Sequence, residues 1–146
     1  MSLPESFRDL PALMDQISDR HRLDDGDVLV ALVRDPKTTQ ELVCVRRLAL
    51  SSYLEDFDEA REPLQQVLAD MPITEDDQRE LRLRPLMVLA RRGFNVVGLY
   101  EAEWTWAWRY GNRLHGVLSE EIVIVTEHGW QDMLGTEAAY EPALAR

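Results

Sequence analysis

Cysteine is almost missing from this chain: Cys44 is the only one in 146 residues. A lone thiol cannot close an intramolecular disulfide, and a cysteine-based zinc site goes with it. Lysine is as scarce, with Lys37 alone among 16 basic residues. An arginine bias of this kind follows from a GC-rich genome and needs no mechanism. No apolar run approaches the roughly 20 residues of a membrane-spanning helix. The opening MSLPESFRDLPALM lacks the basic-then-apolar layout of a secretory signal. These absences predict a cytoplasmic chain with no membrane contact.

The nucleotide and hydrolase motifs are missing too. GFNVVGLYEAE at 93–103 carries two glycines ahead of a helix but no GK[ST], and no G-x-G-x-x-G or G-x-S-x-G occurs. The histidines His21, His115 and His128 form no H-x3-H pair. No cofactor and no metal are therefore expected. Asp27 and Glu41, on neighbouring strands, are the carboxylates that a divalent cation would use. Lys37 sits in the turn between those strands, so a carboxylate–lysine nuclease core is not formed.

Acid is what the chain has in excess: 27 Asp and Glu against 16 bases, a net charge of −11. Such a surface repels a phosphate backbone unless its bases cluster, so nucleic acid is not an expected partner. Solubility is the simple reading of the charge, and affinity for a basic partner is the sharper one. A nucleic-acid-directed protein would need Arg46, Arg47, Arg82, Arg84, Arg91 and Arg92 on one face.

The length fits one domain, residues 1–146, with frayed ends. Leu10, Leu13, Met14 and Ile17 form a helical stripe behind an Asp9 cap. VLVALV at 28–33 is short and β-branched, as buried strands are, and residues 41–48 form its hairpin partner across the DPKTTQ turn. Ser52 and Glu55 have capping-box spacing, and a helical stripe runs from Leu54 to Met71 with a break at Pro63. Thr74 and Asp77 predict a further short helical turn through Leu81. Residues 85–92 and EIVIV at 121–125, extended to 126, read as strands. The order α-β-β-α-β-α-β predicts an α/β (or α+β) fold. Its expected sheet has about four mixed strands, combining the hairpin with a right-handed parallel β-α-β unit over 85–92, 100–116 and 121–126.

EAEWTWAWRYGNRLHG at 101–116 places Trp104, Trp106 and Trp108 at alternating positions. On a strand the three indoles would share a face, but the alternation stops at Trp108. On a helix, Tyr100, Trp104, Ala107, Trp108, Gly111, Leu114, His115 and Leu118 fall within an arc of roughly 120°. The longer pattern predicts a helix over about 100–116. Trp106 then points away from the other two, with Tyr110 and Arg113 near it. Either other parts of the domain cover this second face, or it is an interface formed by Trp106, Tyr110 and Arg113, most simply with a second copy.

Ligands of parallel β-α-β units bind beyond the carboxyl ends of the strands. There the sequence puts Arg91, Arg92 and Gly93, then Glu127, His128 and Trp130, with Glu101 and Glu103 opening the helix. His128 is the candidate general base, Glu103 a carboxylate partner, and Arg91 and Arg92 candidate anion holders. If the strand continues through residue 127, Glu127 points away from His128. Two functions follow. One is a non-catalytic interaction or regulatory protein that forms a homodimer through the aromatic helix. The other is a small hydrolase-type enzyme acting on an anionic substrate at this rim.

Overall fold

A computed structural model describes residues 7–76, 82–114, 121–133 and 137–145, with side chains in the 99–114 helix described as far as Arg109. The chain forms helix α1 (Leu10–Arg20), strands β1 (Val28–Arg34) and β2 (Glu41–Arg47), a 3-10 turn (Phe57–Ala60) and helix α2 (Arg61–Ala69). Strand β3 (Leu83–Ala90), helix α3 (Leu99–Leu114) and strands β4 (Ile122–Thr126), β5 (Gly129–Asp132) and β6 (Ala138–Ala139) follow. One mixed sheet has the order β2-β1-β3-β4-β5-β6. β3 and β4 are parallel and joined through α3, and the other neighbours are antiparallel.

The fold class stands as expected, but among the described residues the sheet has six strands rather than about four. The extra pair, β5 and β6, lies beyond the last strand read from the sequence. Gly129 sits at φ +116 and closes a tight turn after β4. A Cβ there would run into the Ala139 carbonyl. Glycine thus permits β5 and β6 to pack instead of interrupting them.

Strand alternation produces the layering. Leu29, Ala31 and Val33 of β1, with Leu86, Val88 and Ala90 of β3, face α1 and the buried Trp130 and Leu144. Val28, Val30 and Leu32, with Met87 and Leu89, face α2 and α3. Helices on both faces leave β1 and β3 buried on both sides, which explains their almost continuous apolar sequences.

β3 starts at Leu83, ahead of Pro85. β4 pairs only with Met87–Ala90, so Pro85 lies where β3 has a single neighbour and a missing N–H is tolerated. The break at Pro63 is two helices meeting: the 3-10 turn gives way to α2 at Arg61, and Pro63 stands in the first turn. The Ser52 capping box does not form. Ser52 is buried and its hydroxyl donates to the Ala90 carbonyl (2.7 Å), while Asp56 caps the 3-10 turn. The turn expected through Leu81 lies largely outside the described residues.

Candidate functional site

α3 divides its tryptophans as the helical wheel requires. Trp104 and Trp108 are fully buried against the sheet, and the Trp104 indole N–H donates to the Ser52 carbonyl at 2.8 Å. Trp106 is 51% exposed, with the Arg109 guanidinium 5.8 Å from its ring centroid. The alternative in which other parts of the domain cover this face therefore does not apply at Trp106. The Tyr110 and Arg113 side chains, and His115, lie outside the described residues.

The rim beyond β3 and β4 is built differently from its sequence forecast. Arg91 is an interior residue. Its Nε and Nη2 meet Glu101 Oε2 and Oε1 side-on at 3.1 and 2.7 Å. Its remaining donors reach the carbonyls of Arg92 (3.3 Å), Phe94 (3.0 Å) and Val96 (2.6 Å). A guanidinium has five N–H groups, and these contacts occupy all of them. Arg91 thus holds the loop rather than an anion. Glu101 also accepts the Gly98 N–H at 2.9 Å and so organises the start of α3.

Glu103 does not approach His128. Its carboxylate accepts the Phe57 N–H at 2.9 Å, at the start of the 3-10 turn. Trp130 is fully buried in the α1-side core, its indole N–H bonded to the Glu141 carbonyl (2.9 Å). Arg92 remains at the surface, where it donates to the Ala145 carbonyl at 2.9 Å and stands 4.0 Å from Asp25.

Glu127 turns in, because the strand does not continue to it. β4 ends at Thr126 and the chain reverses, so strand alternation no longer governs residue 127. The carboxylate accepts the Gly93 N–H through both oxygens (3.1 and 3.2 Å) and lies 3.3 Å from His128 Nε2. Its pKa is held below the ordinary carboxylate range, first by its own backbone N–H and then by Gly93 N–H, His128 and Arg92, against some desolvation. The half-exposed His128 imidazole stacks on Phe94, with centroids 5.8 Å apart and planes 9° from parallel. Thr126, fully buried, bonds to the Asn95 side chain and accepts the His128 N–H.

The loop between β3 and α3 is therefore gripped from inside by Arg91 and from β4 by Thr126 and Glu127, through polar contacts. Its apolar side chains face outward. Phe94, Val96, Val97 and Leu99 are 52–86% exposed, and Tyr100 packs edge-on against the exposed Tyr53 (5.4 Å). Sequence reasoning passed over this surface. Its trace was GFNVVGLY, eight residues without a charge in a chain that is 29% charged.

The other candidates disperse. Asp27 lies 3.8 Å from Arg47, and Glu41 lies 3.7 Å from Arg34 at the opposite end of the β1–β2 hairpin, so they form no shared cation site. Among the described residues no group of His, Cys, Asp and Glu is placed to hold a metal. His21 is the C-cap of α1, its backbone N–H donating to the Ile17 carbonyl. Cys44 is buried, and that burial raises its thiol pKa against the lowering effect of Arg46 and Arg20. Of the six arginines of a nucleic-acid face, Arg91 is interior and Arg47, Arg82 and Arg92 stand against Asp27, Asp35 and Asp25. Among the described residues no helix is long and apolar enough to cross a membrane.

The chain matches no family model, no curated protein and no solved structure.

Proposed function

We propose that this protein is a non-catalytic interaction or regulatory domain that self-associates through the outward face of α3. The observation that carries the reading is Trp106, half exposed on a helix whose other two tryptophans are fully buried. Exposed tryptophan costs solvation, and Trp, Tyr and Arg are the residues that concentrate in protein interfaces. Tyr110 and Arg113 follow Trp106 in the sequence at four and seven positions, the spacing that the interface reading uses. The buried, unpaired thiol of Cys44 suits a reducing cytoplasm.

The enzymatic reading has less to stand on. Arg91 has spent its donors on Glu101 and the loop, and Glu103 serves the 3-10 turn. Only the His128–Glu127 contact and Arg92 remain to it. Sedimentation of Trp106→Glu tests the self-association reading. The wild type is expected to sediment as a dimer and the variant as a monomer. A variant dimer indistinguishable from the wild type would remove Trp106 from the interface.

A further inference from the structure

The outward face of α3 is small for the task just assigned to it. A large side chain carries on the order of 150–250 Å² of surface. Leu99 at 86% and Trp106 at 51% exposure then offer on the order of 300 Å² between them. A standard interface takes about 800 Å² from each partner. Adding Phe94, Val96, Val97, Tyr100 and Tyr53 at their exposures brings the open apolar surface to on the order of 700 Å². That approaches what a stable dimer needs from each partner.

Charge points to the same surface. Two copies of a chain carrying −11 repel at long range. A contact between them costs least where charge is absent. GFNVVGLY at 93–100 is the longest uncharged run in the sequence, and most of its apolar side chains point outward. The loop is also pre-organised. The Arg91 fork fixes three of its carbonyls, and Glu127 and Thr126 fix Gly93 and Asn95, so little backbone entropy remains to be lost on binding.

We infer that a second copy of this chain seats on the β3–α3 loop, with Phe94, Val96, Val97 and Leu99 as the main anchors and Trp106 at the edge of the contact. This rests on the self-association reading and assigns its principal surface. The contact is apolar between like-charged molecules, so added salt screens the repulsion and tightens the dimer. A basic partner on the same surface would bind more weakly as salt rises.

Sedimentation velocity over a concentration series, at low and high sodium chloride, tests the assignment. The variants are Val96→Ser/Val97→Ser, confined to the loop, Trp106→Glu on the helix and, as a control outside the proposed anchors, Tyr140→Ser, at a residue that is 89% exposed. The replaced side chains are exposed, and far-UV circular dichroism checks that each variant folds. The dimer is expected to weaken at least tenfold in the loop variant, to stay unchanged in Tyr140→Ser, and to tighten with salt. A dimer lost in Trp106→Glu but untouched by the loop variant overturns the loop assignment and leaves the helix reading standing. A wild-type monomer at every concentration in both salts overturns both. A dimer weakened by salt and indifferent to all three variants also overturns both.

Discussion

Arg91 illustrates how little a residue type says about its use. An arginine at the end of a parallel strand is a natural anion holder, yet this one is sealed against Glu101, whose side chain is 1% exposed. Removing one member of a buried pair leaves an uncompensated charge and costs about 3–5 kcal/mol. Glu101→Ala is expected to lose that much in urea denaturation and to free the 92–96 carbonyls from their clamp. Glu127 makes a different prediction. Its depressed folded pKa means that its contribution to stability is full above the ordinary carboxylate range and is lost as pH falls through the lower folded value. Glu127→Gln has no such proton to gain. Its stability-against-pH curve should therefore be flatter than the wild type's over that acid window, as read from denaturation midpoints at stepped pH. An equal acid slope in both proteins would show that the Gly93 contact does not persist in solution.

At the scale of elements, most of what the structure contains could be read from periodicity. The α1 stripe of Leu10, Leu13, Met14 and Ile17 is the buried face observed, and the division of Trp104 and Trp108 from Trp106 follows directly from 3.6 residues per turn. Misreadings occurred where a short element depends on a distant partner. Ser52 had the spacing of a cap, but its hydroxyl is taken by Ala90, 38 residues away. β5 and β6, of four and two residues, are too short to carry a pattern and exist because β4 offers an edge. Their turn hangs on Gly129. Gly129→Ala combines a positive φ with a collision against Ala139, and it should destabilise the protein by at least about 2 kcal/mol. An unchanged denaturation midpoint would mean that β6 does not pack there.

For the whole molecule, the sheet order predicts the hierarchy of local stability. β1 and β3 have helices on both faces and strands on both sides, whereas β2 and β6 are edges. Amide hydrogens of β1 and β3 should exchange only through global unfolding, and those along the outer edges of β2 and β6 well before it. Uniform protection across the sheet would contradict that hierarchy. The candidate site was half legible at this scale. Topology brings the loops that follow β3 and β4 to one edge of the sheet, because a parallel pair leaves its loops there. It could not say which side chains turn outward, since that depends on which polar partners the loop finds.

Composition, spacing and apolar periodicity by themselves determined the absence of a disulfide, the α/β class, the crossover through α3 and the separation of Trp106 from its neighbours. These are local or additive properties, set by covalent chemistry and by repeats of 2 and 3.6 residues. Tertiary structure alone decided that Arg91 and Glu101 pair in the interior, that Glu127 reaches Gly93, and that Phe94, Val96 and Val97 of the loop, with Leu99 at the start of α3, face the solvent. Those outcomes rest on contacts between residues far apart in sequence. Desolvated charges must find partners there, and the side chains left outside are the ones that can do without.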